Sequence, residues 1–213
     1  DGCIFGFTEP DARLSAAMAE RDIPGVVLNR IEEDRDYVTC DNHLGMKRLL
    51  EHLTSCRRDV RACYIGFTPA VPVTTYREDG FRSACVALDH PCHTGSVRRI
   101  DSLEEIDEHF VHSIVADGYN AVMCFNDFVA VYFLQAALAA GLRVPEDLAV
   151  TGFDNSPVRR LAVKKIDTIN LSTRRLGEEA GRWLRRRIID RSSERLGLSV
   201  EGELIEGETV CIR

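Results

Sequence analysis

Two pairs of small polar residues carry the first chemical signal in this sequence. The apolar run "AVMCF" (121–125) stops at Asn126-Asp127, and "LAVTGF" (148–153) stops at Asp154-Asn155. An ionised aspartate can accept two hydroxyl donors, and an asparagine can both donate and accept. That chemistry suits recognition of a small hydroxylated molecule. In an open parallel α/β sheet the strands are buried on both faces and read as continuous apolar runs, and ligands bind in the crevice beyond their carboxyl ends. Both pairs occupy that place. Asp127 stands where a cap for "FVAVYFLQAALAAG" belongs and is assigned that structural role. Asn126 and Asp154 lie one step nearer their strands and are the ligand candidates. No G-x-S-x-G, Walker loop or strand-following G-x-G-x-x-G occurs, and the six histidines are dispersed. With no catalytic constellation, the chain is read as a non-enzyme without a cofactor.

The elements that must position these pairs alternate. Strand-like runs are "CIFGF" (3–7), "GVVLN" (25–29), "YVTC" (37–40), "ACYIGF" (62–67), "SVRRI" (96–100), "AVMCF" and "LAVTGF". Amphipathic stretches of helical length separate them, with Leu14, Ala17 and Met18 sharing one face. Met46, Leu49, Leu50 and Leu53 share a second, and Leu103, Ile106, Phe110, Ile114 and Val115 a third, before Gly118. Short strands separated by helices read as βαβ units around a parallel sheet. The helix expected over 173–191 carries Leu176, Ala180, Trp183, Leu184 and Ile188 on one stripe. Its seven arginines, offset by Glu178 and Glu179, read as a solvated face rather than a DNA patch. The tail "GELIEGETVCIR" predicts one or two antiparallel strands around Glu206-Gly207.

The bulk properties bound the class. The 213 residues are 45% hydrophobic with a formal net charge of −7, which argues against nucleic-acid binding by bulk electrostatics. No apolar run approaches the ~20 residues needed to span a bilayer, and the first residues do not read as a signal peptide. The eight cysteines form no C-x-x-C pair and several lie in apolar runs, as free thiols in a reducing cytoplasm would. Cys85, His90, Cys92 and His93 sit at irregular intervals in a polar loop, so no metal site is expected.

At this point a resemblance becomes specific. "FNDFVAVYFLQAALAAGLRVPEDLAVTGFDNSP" (125–157) resembles the A-N-D-x-x-A … G-x-x-V-P-x-D-x-x-V-x-G-F-D-x-x-P signature of LacI/GalR-family transcriptional regulators. "VTCDNHLGMKRLLEHL" (38–53) resembles V-x-x-D-N-x-x-G-x-x-x-A-x-x-H-L, and "YREDGFRSAC" (76–85) is similar to the R-x-x-G-F-x-x-A helix start. "IDTINLSTRRLGEEAGRWL" (166–184) resembles the crossover ending L-G-x-x-A. The blocks occur in family order over nearly the whole chain.

The resemblance implies the periplasmic-binding-protein type I architecture: two doubly wound parallel-sheet α/β lobes joined by crossover strands, with a small effector, expected to be a sugar, between them. The first lobe is expected over 1–67 plus 171–191, the second over 68–170 plus 192–213, with hinges near 67–70 and 169–172. Two β-α units and the helix-turn-helix headpiece precede such a domain in the family, so the first lobe is expected to be incomplete. The implied partners are the effector, a second copy in a homodimer, and operator DNA through the headpiece alone. The setting implied is cytoplasmic, with no membrane role.

Residue by residue, Arg77 matches the arginine of R-x-x-G-F that contacts the effector, and its planar fork suits two hydroxyls or a carboxylate. A cation at a helix start is mildly disfavoured by the dipole, which favours a functional role. Asn126 and Asp154 match the asparagine of A-N-D and the aspartate of G-F-D. Phe125, Phe128 and Phe153 would offer aromatic faces to a pyranose or a planar base. Leu171 and Leu44 stand at effector positions that are often polar, Tyr132 replaces a glycine and Asp167 a threonine. Asp41 and Asn42 read as a turn and cap, and His52 as the ordinary H-L helix ending. Two competing readings are a sugar solute-binding protein of a transporter and a small α/β enzyme using Asp127 or Asp154.

Overall fold

The computed structural model describes residues 1–6, 8, 10–32, 34–68 and 72–212. Phe7, which closes the expected first strand, and Pro69 and Ala70 of the expected hinge lie outside the described residues. The chain divides into two compact units, Asp1–Asp41 with Ser172–Glu201, and Asn42–Leu171 with Gly202–Arg213.

In the first unit, β1 (Cys3–Gly6), β2 (Gly25–Leu28), β3 (Asp36–Cys40) and β9 (Gly197–Val200) form a parallel sheet in that order. Helix α1 (Ala12–Glu20) starts at Asp11, whose carboxylate accepts from the Leu14 N–H at 2.7 Å. The expected stripe of α6 (Thr173–Ile189) is buried at Leu176, Ala180, Trp183 and Leu184, which pack on Val26, Val38 and Val200. Ile188, the last expected member, is partly exposed. The arginines face outward, as in the 3.2 Å pair of Arg182 with Glu179; such exposed pairs contribute roughly 0–1 kcal/mol.

The second unit has the parallel sheet β5 (Val97–Ile100), β4 (Ala62–Phe67), β6 (Ala121–Cys124) and β7 (Ala149–Thr151), in that order. With it go α2 (Asn42–Cys56), α3 (Pro72–Ala87), α4 (Glu108–Ala116) and α5 (Asp127–Ala139). A separate antiparallel pair joins β8 (Thr168–Asn170) to β10 (Glu203–Ile205), as the tail predicted. The next residues fold tightly, because a side chain at Gly207 would meet the Lys165 carbonyl oxygen at 2.2 Å.

The unit boundary differs from the expected one at Leu171, which falls in the second unit, and over two longer stretches. Residues 42–67 belong to the second unit, because α2 packs on α3 and β10, and β4 pairs with β5 and β6. Residues 192–201 belong to the first, because β9 pairs with β3. The expected helical stretch that carries Leu103 to Val115 splits into a 3-10 turn at Leu103–Glu105 and α4, since the Glu105 carboxylate accepts from the Asp101 and Ser102 N–H groups and Asp107 then caps a new start.

The cysteines bring a larger correction. Cys56 and Cys211 form a disulfide across 155 residues of sequence, against the expectation of free thiols throughout. The two are far apart in sequence, so spacing alone gave no sign of the pairing. Cys63 and Cys124 are free and buried, and burial pushes the Cys63 thiol up to about 12. Among the described residues no helix is long and apolar enough to cross a membrane.

Candidate functional site

Arg77 organises the candidate site. Helix α3 starts at Pro72, so Arg77 lies in its second turn and not at its start. Nor is it solvent-facing: it is 1% exposed. The dipole argument for its role therefore fails, and burial replaces it. Its Nε donates to Asn42 Oδ1 at 3.0 Å, Nη1 to the Phe125 carbonyl at 2.6 Å, and Nη2 to Asp154 Oδ1 at 2.7 Å. The guanidinium also lies over two rings, 4.1 Å from the Phe153 centroid and 4.8 Å from that of Phe125. Burying a cation is costly unless its donors and charge are matched, and here three acceptors, one of them a carboxylate, and two ring faces do so.

Asp154 reaches Arg77 from the segment after β7. Its backbone is held at φ 102°, a conformation that a non-glycine residue adopts only when its surroundings impose it. The imposition is visible in the Asp154 N–H donating to the Ile169 carbonyl at 2.8 Å. The side chain is 24% exposed, so the carboxylate remains partly open to solvent. Burial pushes its carboxyl above the usual range, with Arg77 opposing.

Asn126 and Asp127, which follow Phe125 beyond β6, depart from the roles expected from sequence. Asn126, not Asp127, caps α5: its side-chain oxygen accepts from the Val129 N–H at 3.0 Å. Its amide N–H groups are a separate set of donors. Asp127 is wholly buried, accepts from Thr168 Oγ1 at 2.6 Å and from the Ser156 N–H, and so ties α5 to β8 and the loop after β7. Burial pushes its carboxyl up to about 6, against those two hydrogen bonds. The Asp127 N–H donates to the Phe153 carbonyl at 2.9 Å, which draws the two polar pairs together. Arg77 and Asp154 are thus in direct contact, and Asn126 adjoins the Phe125 carbonyl that Arg77 holds.

The secondary candidates divide. Phe125 and Phe153 are buried with their rings against the Arg77 guanidinium, so they serve the arginine and not a sugar ring. Phe128 is 49% exposed and takes no part in that stack, and Tyr132 on the same helix is also exposed. Leu171 is buried and Leu44 half-buried. Sequence reasoning missed Asn42, which is the buried first residue of α2 and an Arg77 partner rather than a simple cap. Gly45 was missed as well, since a side chain there would meet the Phe153 ring at 2.6 Å. The D-N-x-x-G block that contains both was the available signal.

His52, an ordinary helix ending by sequence, and Asp167, a departure from the family pattern, are partners. They form one buried contact, His52 Nε2 to Asp167 Oδ1 at 2.8 Å. Burial opposes ionisation of Asp167, but its bonds with His52, Gly207 and Thr209 outweigh that and hold it below the usual range. The aspartate's unusual identity is explained by this partnership, which no local spacing displays.

Comparison with known proteins places this architecture. A family model described as the periplasmic binding protein-like domain matches residues 51–210. The HTH-type transcriptional regulator DegA of Bacillus subtilis (strain 168) is 27% identical over 188 residues, covering 85% of this chain and 56% of DegA. The chain therefore spans little more than half the length of that relative. Among solved structures, the transcription regulator CcpA of Lactococcus lactis superposes with a TM-score of 0.82 at 21% identity, over 99% of this chain and 78% of CcpA. The transcriptional regulator CelR in complex with cellobiose gives a TM-score of 0.79 at 27% identity, over 98% of this chain and 65% of that one. On the family match, the chain belongs to the periplasmic binding protein-like domain family, and the relatives it resembles here are transcriptional regulators.

Proposed function

We propose that this chain is the effector-sensing part of a LacI-type transcriptional regulator, and that it binds a small hydroxylated molecule, a sugar, through Asp154 and Asn126, with the buried Arg77 holding Asp154 in place. The observation that carries the reading is the buried Arg77 held between Asn42, Asp154 and two phenylalanine rings. Such an arginine is fixed in one orientation before ligand arrives, and its planar fork favours bidentate partners. Asp154 supplies the acceptor for ligand hydroxyls, and the Asn126 amide a donor. Phe128, Leu44 and Leu171 are secondary contacts in this reading. The ligand complex of CelR with cellobiose supports a sugar as the class.

In the full-length regulator, a homodimer in the cytoplasm, the ligand shifts the protein toward the conformation it binds better and thereby changes operator affinity. No catalytic step or cofactor is part of this reading. That the relatives above are transcriptional regulators favours it over a transporter's solute-binding protein. The test is fluorescence anisotropy of operator DNA with the full-length protein, with and without a sugar that the domain binds. A sugar-dependent change in DNA affinity supports the proposal; sugar binding with unchanged DNA affinity refutes regulation.

A further inference from the structure

At the last turn of α2, away from the Arg77 network, three metal-donor groups converge. The ligand atoms of His52, Cys56 and Cys211 all lie within 4.8 Å of one another, and His52 Nδ1 is 3.9 Å from Cys56 Sγ. His52 and Cys56 are four residues apart, so one face of the helix presents both, while Cys211 arrives from the segment after β10. We propose that, with Cys56 and Cys211 reduced, these three side chains bind one divalent cation of zinc's class.

Three observations carry this. The donor set, one imidazole and two sulfurs, is the soft kind that selects zinc over magnesium or calcium. The other imidazole nitrogen, Nε2, is held at 2.8 Å by the buried Asp167 carboxylate, which fixes the tautomer that leaves Nδ1 free to ligate. Asp167 is fixed in turn by Thr209, whose N–H donates to Oδ2 at 2.9 Å. A carboxylate behind a histidine whose far nitrogen faces two sulfurs is the usual second layer of a zinc site. This departs from the sequence reading, which expected no metal. That reading weighed only Cys85, His90, Cys92 and His93, and the structure turns His90 toward the Ala62 N–H and His93 toward Tyr119.

The chemistry balances simply. A phosphine or dithiol reductant supplies two electrons, and two protons are taken up, to open the Cys56–Cys211 bond. The cation then displaces both thiol protons and takes the Nδ1 lone pair, and a fourth position remains for solvent. The site joins α2, whose first residue contacts Arg77, to the C-terminal segment.

The experiment uses the full chain reduced with a phosphine, then titrated with cobalt(II) as a spectroscopic probe and with zinc in competition. The expected result is one cobalt per chain with a thiolate-to-cobalt charge-transfer band, displaced by zinc. Cys211→Ser should abolish the band, Cys92→Ser should leave it unchanged, and Asp167→Asn should weaken binding by roughly 10–100-fold. Zinc should also raise the melting temperature of the reduced wild type but not of Cys211→Ser. The proposal is overturned if the reduced chain takes up no cobalt, if Cys211→Ser binds as well as wild type, or if the sulfurs stay bonded in excess phosphine as a purely structural disulfide.

Discussion

Arg77 and Asp154, separated by 77 residues of sequence, meet at 2.7 Å, with the arginine buried and the aspartate partly exposed. That asymmetry gives each a different task. The cation is fixed by the protein, and the carboxylate is the half of the pair that solvent, or a ligand hydroxyl, can reach.

Arg77→Ala leaves Asp154, Asn42 and the Phe125 carbonyl without their donor, and removes the cation between two rings. Breaking a buried pair in this way costs roughly 3–5 kcal/mol. Chemical denaturation should show a loss of that size, so this variant reports on stability before it reports on binding. Arg77→Lys keeps the charge without the fork and should lose less stability while still weakening ligand affinity.

Gly45 sets the distance between α2 and Phe153. A methyl group there would meet two ring carbons, at 2.6 and 2.7 Å, of a fully buried side chain. Gly45→Ala should therefore destabilise by about 1–3 kcal/mol through overpacking, despite alanine's better helix propensity. An unchanged or raised melting temperature would show that the ring gives way freely.

Asp127 predicts a pH dependence of stability. Its ordinary value is 3.8 and burial raises it to about 6 in the folded chain, so between these the folded state keeps a proton that the unfolded state has lost. Its contribution is fully present below 3.8 and is lost as pH rises through about 6. Relative to Asp127→Asn, wild type should lose on the order of 3 kcal/mol across that window. Parallel stability curves for the two proteins would contradict the assignment.

Much of the fold was legible because each βαβ unit is written in local periodicity. The strand expected at 62–67 and the helix expected from 173 sit where the structure has them. What local patterns lack is which sheet a segment joins. Helix α2 reads as amphipathic wherever it packs, and only its contacts with α3 and β10 assign it to the second unit. The same limit governed the site. Arg77 and Asp154 are marked by local motifs, but the Asn42–Arg77, His52–Asp167 and Cys56–Cys211 partnerships and the burial of Asp127 against Thr168 all depend on long-range pairing.

The most direct test of the central claim is a thermal-shift titration of wild type and Asp154→Asn against a panel of mono- and disaccharides, cellobiose and ribose included. Ligand binding to the folded state raises the melting temperature in proportion to occupancy. We expect at least one sugar to raise that of wild type in a saturable way, and its effect to be lost or sharply reduced in Asp154→Asn. A sugar that stabilises both proteins equally, or a panel that stabilises neither, would contradict a sugar site built on Asp154 and Arg77.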